Sequence, residues 1–224
     1  MNRLCLNWKT DERFDMSFST LMKGFNSSMI CYNISMFKPT IAKYMYEKYS
    51  NINDVIYDYS AGWGGRMLGA ASCNRQYIGV DPLTISSLSK MKEDLELKNI
   101  KLIQGKSEDI VLEENSIDFA FSSPPYYNIE IYSDNNNQAY NKGEDYFYNT
   151  YWNNTLKNIQ YMLKPNKCFA LNVAGVPKMV DYAKEYFGYI IDTVEFTMPR
   201  NQNNRKNKQG LNKSEYIYIF RNLK

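Results

Sequence analysis

The chain has 224 residues, of which 44% are hydrophobic and 15% aromatic, and it carries a net charge of +3. That length suits one α/β domain and leaves a second one cramped. With no histidine and four scattered cysteines (Cys5, Cys31, Cys73, Cys168), the composition argues against zinc sites, iron–sulfur clusters and Cys-His or Ser-His catalysis. No metal is expected. The cysteines read as reduced, buried, intracellular residues. No apolar run approaches the length of a membrane span and the N-terminus lacks a signal-peptide core, so a cytoplasmic protein without a membrane partner is expected. A pI of about 8.5 permits nucleic-acid binding without demanding it.

In chain order, residues 1–34 mix aromatics, methionines and polar residues irregularly and are expected to form an extension packed on the core. Ser35–Tyr49 has helical spacing with Pro39 in its first turn. Val55–Tyr57 reads as a buried strand that ends at Asp58. Ser60-Ala61-Gly62-Trp63-Gly64-Gly65 then forms a turn where bare backbone lets a ligand come close. A short helix, Arg66–Cys73, leads to a second strand, Gln76–Val80, which ends in Asp81 and Pro82. Thr84–Lys98 reads as a helix with Leu88, Met91 and Leu95 on one face. Ile100–Ile103 is a third strand. Ser107-Glu108-Asp109 follows, either as a helix N-cap with dipole-matched acids or as part of a ligand site.

Ile117–Phe121 reads as a fourth strand running into Ser122-Ser123-Pro124-Pro125-Tyr126-Tyr127. Two prolines cannot extend a central strand, so they stiffen its exit. Residues 128–145 are too long for a simple connection. Tyr146–Leu163 is a helix stopped by Lys164-Pro165-Asn166, Cys168–Val173 a strand, Pro177–Phe187 a helix, and Tyr189–Thr197 and Glu215–Arg221 two closing strands. Between these last two, Arg200, Arg205, Lys206, Lys208 and Lys213 lie in a loop without acids. The strand–helix alternation predicts a mainly parallel sheet with helices on both faces.

Two segments carry chemistry. The glycine turn does not match the dinucleotide pattern, because the third glycine position is Met67, and it lacks the Gly-Lys-Ser/Thr of a P-loop. Asp81, 19 residues after Gly62, suits a ribose diol. In Ser123-Pro124-Pro125-Tyr126 the serine oxygen and the Pro124 carbonyl accept hydrogen bonds, Pro125 fixes them, and Tyr126 offers a ring face. This is a holder for a planar group bearing an NH₂. Fixing both N–H directions turns an otherwise delocalised lone pair toward an electrophile. Stacking on Tyr126 is worth about 1–3 kcal/mol, and proximity supplies much of the rest.

The ordered set D-x-S-x-G-x-G-G from Asp58, Asp81, Ser107-Glu108-Asp109 and S-P-P-Y from Ser123 resembles the class I S-adenosylmethionine (SAM)-dependent amino-methyltransferases of DNA. The stretch SSPPYYNIEIYSDNNNQ is similar to small modification methylases of phage and mobile-element type. The resemblance covers roughly residues 36–221. It implies a Rossmann-like fold with a mainly parallel seven-stranded sheet, an antiparallel last strand and helices on both faces. A single methyltransferase domain is expected over 35–224; the family usually carries a sizeable target-recognition domain, and here the sequence departs from it, because no segment is long enough for one. Carried over, the resemblance places the methionine end of SAM at Asp58, Ser60, Ala61, Gly62, Gly64 and Gly65, under Phe37, Lys38, Pro39 and Thr40. The ribose falls at Asp81 and Pro82, the adenine near Ser107, Glu108 and Asp109, and the target amine at Ser123, Pro124, Pro125 and Tyr126, with Ser123 also facing the cofactor. Tyr127 and the basic residues of 200–213 become DNA contacts. Serine in the place of the aspartate of adenine enzymes favours N4-cytosine over N6-adenine, and no cysteine in the loop argues against C5 chemistry. Without a recognition domain, a homodimer or partner subunit would help select the target. RNA or protein substrates, or a silent binding subunit, are the alternatives.

Overall fold

The structure, a computed structural model, describes residues 36–125, 127, 139–198 and 213–224. The expectations for 1–34, for Tyr126 and for Arg200, Arg205, Lys206 and Lys208 lie outside these residues. Helix α1 (Pro39–Tyr49) starts with proline at its first position, and Lys38 before it is extended (φ −67°, ψ 119°), as the residue before a proline prefers. Strand β1 (Val55–Asp58), helix α2 (Gly65–Ala71) and strand β2 (Gln76–Asp81) follow. Helix α3 (Ile85–Asp94) is shorter than expected. Glu96 takes φ +50° and Leu97 N–H bonds back to the Lys92 carbonyl, which closes the helix and leaves Leu95 54% exposed.

Strand β3 (Ile100–Gln104) and strand β4 (Ile117–Ser122) have no helix between them. The Asp109 N–H closes a turn on the Lys106 carbonyl, so the helix N-cap alternative for 107–109 is overturned. The long helix expected from Tyr146 is composite: a short turn (Glu144–Tyr146), a π-helix (Phe147–Trp152) and helix α4 (Asn153–Met162). Strand β5 (Leu163–Val173), helix α5 (Pro177–Phe187), strand β6 (Ile190–Met198) and strand β7 (Lys213–Arg221) complete the described chain. Register jumps in β5 from Leu163 opposite Ile117 to Cys168 opposite Phe119, which sets the Lys164-Pro165-Asn166-Lys167 turn outside the ladder.

The seven strands form one sheet in the order β3-β2-β1-β4-β5-β7-β6, all parallel except β7, which is antiparallel to both β5 and β6. The two-residue period of each strand divides the core. Ile56, Phe119, Phe121, Ala170 and Ile219 face α1–α3 through Met45, Tyr46, Met67 and Leu88. Tyr57, Ala120, Phe169, Leu171 and Phe220 face the π-helix, α4 and α5 through Trp152, Leu156, Ile159 and Phe187. No helix among the described residues is long and apolar enough to cross a membrane.

Candidate active site

The chain reverses direction across the sheet between β1 and β4, so the loops leaving these two strands meet at the switch point where open α/β sheets bind ligands. Both chemistry-bearing segments begin there. Asp58, at the end of β1, is fully buried. Its Oδ2 accepts the Tyr77 hydroxyl (2.6 Å) and Arg66 Nε (2.9 Å). Its Oδ1 accepts the Ser122 hydroxyl (2.8 Å) and the Ser60 N–H (3.3 Å). The carboxylate therefore lies behind the glycine turn and shapes it, rather than facing a ligand. Arg66 also donates to the Ser60 carbonyl and to Ser122 Oγ (3.3 Å), and its guanidinium lies 5.2 Å from the Phe37 ring centre. Burial acts to lower the pKa of Arg66, but Asp58 overrides it and holds the guanidinium firmly protonated. Burial, reinforced by Asp58, pushes the Tyr77 hydroxyl well up.

The turn itself has an open side and a closed side. Gly62 takes φ +54°, and a Cβ there would meet nothing nearer than the Ser60 carbonyl at 3.9 Å. A Cβ on Gly65 would strike the Phe37 carbonyl at 1.8 Å, so residues 36–37 lie directly on the start of α2. The Phe37 ring packs edge-on against Phe121 (5.5 Å) and Phe196 (6.0 Å), and Pro39 and Thr40 begin α1 behind it. Asp81 closes the other flank. Its Oδ2 accepts the Gly62 N–H (3.0 Å) and its Oδ1 the N–H groups of Leu83 (2.9 Å) and Thr84 (3.0 Å). A carboxylate has about four acceptor sites, so capacity remains for one more donor. Pro82 keeps this bend, and its carbonyl accepts from Gln104 Nε2 (3.4 Å). Trp63 and Leu83 stay 39% and 46% exposed beside it, which leaves apolar surface next to polar acceptors.

After β3, Ser107 and Glu108 are buried and Asp109 is exposed. Ser107 Oγ pairs with Thr155 Oγ1 at 3.0 Å, and the Glu108 carbonyl receives Asn158 Nδ2 at 3.0 Å, both from α4. Burial raises the pKa of the Glu108 carboxyl, partly countered by hydrogen bonding that includes the Tyr146 hydroxyl at 3.4 Å. The π-helix delivers Tyr151 to this point, with its hydroxyl among Ser60, Ser107 and Glu108. A π turn re-aims side chains within a helix and is frequent at functional sites. Tyr151, Arg66 and Ser122 were not singled out by the sequence reading. An arginine immediately after the glycines was the available signal for one of them.

Beyond β4, Ser122 and Pro124 are buried while Ser123 and Pro125 are half-buried. Ser123 Oγ accepts Nδ2 of Asn172, a residue of β5, at 3.1 Å. The half-buried Tyr127 ring, expected to contact DNA, packs on Phe147 (5.5 Å) and Tyr148 (6.2 Å) of the π-helix. Lys213 opens β7, the only member of the basic set among the described residues. A separate groove of about 770 Å³ lies over the amino ends of β1–β3, lined by Tyr77, Ile100 and Leu112 among others. It is at the opposite end of the strands from Asp81 and Ser123, and of the groups above only Tyr77 reaches it.

No protein-family profile and no curated protein matches the sequence. Solved structures do match. The tRNA methyltransferase TrmI from Aquifex aeolicus aligns with a TM-score of 0.60 at 15% identity, over 87% of this chain and 72% of that one. A 1,6-didemethyltoxoflavin-N1-methyltransferase from Burkholderia thailandensis, solved with S-adenosylhomocysteine, aligns at 0.56 and 14% identity, over 82% and 77%. The [4+2]-cyclase SpnF aligns at 0.53 and 12%, over 70% and 59%. The chain has the Rossmann-like methyltransferase fold. It spans about half the length of other matching structures, such as TrmN from Thermus thermophilus at 48%. Because a cyclase shares the fold, the fold alone does not give the reaction, and the residues at the switch point must.

Proposed function

We propose that this chain transfers a methyl group from SAM to the exocyclic amino group of a base in DNA. The observation that carries this reading is the S-P-P-Y run leaving β4 at the switch point, next to the glycine turn, with Ser122 and Ser60 bound to the same Asp58 carboxylate. The residues around the turn fit SAM: bare backbone with open space at Gly62, remaining acceptor capacity on Asp81, and exposed Trp63 and Leu83 beside it. When bound, SAM supplies an electrophilic methyl group on a sulfonium centre.

The rest of the work falls to side chains and backbone of this chain. Asp81 accepts from the ribose hydroxyls. Glu108, buried, with its backbone carbonyl held by Asn158 and its carboxyl by Tyr146, offers an acceptor near the adenine position. The Ser123 oxygen and the Pro124 carbonyl accept both hydrogens of the target amine and so aim its lone pair. Tyr126 stacks on the base, for about 1–3 kcal/mol. A base in duplex DNA must first leave its stack, at a cost of a few kcal/mol. Arg200, Arg205, Lys206, Lys208 and Lys213 are the phosphate contacts, and a second copy or a partner subunit adds target selection. Serine at 123 favours N4-cytosine over N6-adenine.

The test is expression in a host without DNA methylation, digestion of the DNA to nucleosides, and mass spectrometry. N4-methylcytosine or N6-methyladenine should appear with the intact protein and vanish with Ser123→Ala/Tyr126→Ala. A soluble, SAM-binding protein that leaves DNA unmodified would refute the DNA reading. It would favour RNA, the substrate class of TrmI, or a protein substrate.

A further inference from the structure

The parallel register of β4 and β5 sets Ser122 opposite Leu171, so the next residues along, Ser123 and Asn172, come side by side. The antiparallel register of β5 and β7 sets Asn172 opposite Ile217, which brings Glu215, two residues earlier and on the same face, to the same point. Asn172 is 2% exposed and is the one polar side chain in the strand CFALNV. Its Nδ2 lies 3.1 Å from Ser123 Oγ and 3.5 Å from Glu215 Oε2.

The chemistry of these groups orders them. A carboxylate only accepts, so Glu215 requires the amide nitrogen of Asn172, not its oxygen, to face the junction. The second hydrogen of that nitrogen then goes to Ser123 Oγ. Were the amide reversed, its oxygen would face the Glu215 carboxylate with no hydrogen between the two acceptors. With the nitrogen inward, Ser123 is held in place through one lone pair and keeps its other lone pair for a substrate N–H. We propose that Asn172 and Glu215 are positioning residues that hold Ser123 as the acceptor for the target amine, an inference that rests on the role given to Ser123 above. Glu215 acts through Asn172, and neither touches the reacting atoms.

Two measurements test this. In nitrogen-15 NMR the Asn172 side-chain amide, identified by its loss in Asn172→Ala, should shift in both Ser123→Ala and Glu215→Gln. An amide signal unmoved by either substitution would overturn the arrangement, whatever the enzyme's substrate. In DNA methylation assays, Asn172→Ala should lower kcat by about 100-fold, the scale of a misplaced reacting group, with KM for DNA and the SAM dissociation constant unchanged. Glu215→Gln should lower kcat by a smaller factor, and the double variant should be no slower than Asn172→Ala alone. A Glu215→Gln enzyme at full rate, or a double variant slowed by the product of the two factors, would refute action through Asn172. Variants that show the NMR shifts, together with a wild-type protein that leaves DNA unmethylated, would defeat the DNA reading and leave the network standing.

Discussion

Replacing Asp58 by asparagine tests whether the switch point is built on one buried carboxylate. Each oxygen of Asp58 receives two donors: Arg66 Nε and the Tyr77 hydroxyl on one, the Ser122 hydroxyl and the Ser60 N–H on the other. An amide keeps only one oxygen, so whichever way it turns, its NH₂ confronts two donors. The substitution also strips the counterion from Arg66, whose side chain is 5% exposed against 0% for Asp58. Breaking one side of a buried pair costs about 3–5 kcal/mol. Against a total stability of about 5–15 kcal/mol, that is a large share, and for a chain of this size it lowers Tm by roughly 6–20 °C. Urea unfolding followed by circular dichroism, with calorimetry, reads it directly. A loss below about 1 kcal/mol would refute the assignment. The paired change Asp58→Leu/Arg66→Met removes the unpaired charge but leaves the Tyr77 and Ser122 hydroxyls and the Ser60 N–H without their acceptor, so it should regain only part of the stability. It cannot restore the donors to the Ser60 carbonyl and Ser122, so SAM affinity should stay reduced by about 10-fold or more.

Asp81→Asn should weaken SAM binding in calorimetry by about 10-fold or more, the worth of a charged hydrogen bond, because the oxygen that holds the Gly62 N–H is also the one proposed to accept from the ribose; unchanged affinity would remove Asp81 from the proposed ribose site. Glu108 has its pKa raised by burial, so the folded protein holds that proton more tightly than the unfolded chain. Stability from this group is full at low pH and falls as pH rises through the raised pKa, so Glu108→Gln should gain on wild type across that window and keep its advantage at neutral pH, read as Tm against pH. Asp192 shows the opposite sign. The Lys48 ammonium and the Tyr49 hydroxyl pull its pKa down to about 2, so its contribution is present above about pH 4 and fades as pH falls toward 2. The pair is exposed and worth less than about 1 kcal/mol, so Lys48→Met should lower Tm slightly at neutral pH and not at all near pH 2.

The parallel sheet was legible because its strands are short apolar runs ended by punctuation: Asp58 after β1, Asp81 after β2, two prolines after β4. What stayed hidden depends on contacts between distant segments. Nothing local marks the π turn at Phe147–Trp152, because its aromatics at positions 147, 148, 151 and 152 also fit an ordinary helix. Tertiary packing against Tyr59 and Tyr127 selects the wider turn. Leu95 fits a helical stripe, but the left-handed backbone at Glu96 ends the helix before that stripe reaches it. Asp58 sits where a ligand-facing acid is expected, and only the structure shows its four acceptor positions already filled. The packing of Tyr127 was hidden for a similar reason: its partner Phe147 lies twenty residues on.

The same buried carboxylate explains why a glycine turn and an S-P-P-Y run occur as a set. On the proposed reading, a methyl donor at the first and an amine at the second must meet within bonding distance, yet they are carried by separate loops. Ser60 belongs to the first loop and Ser122 borders the second. Asp58 Oδ1 binds both, and Arg66 reaches both from the opposite side. Asn172 then ties the next residue, Ser123, to β5 and β7. The acceptor serine is thus referenced to four strands of the sheet and to the donor loop through fewer than ten side chains. An aspartate or asparagine at position 123 would be one heavy atom or more longer, so its polar end could not keep the place that Ser123 Oγ holds 3.1 Å from Asn172 Nδ2. The serine in this chain is therefore matched to the asparagine behind it, and substitution of either alone breaks an arrangement that the pair preserves.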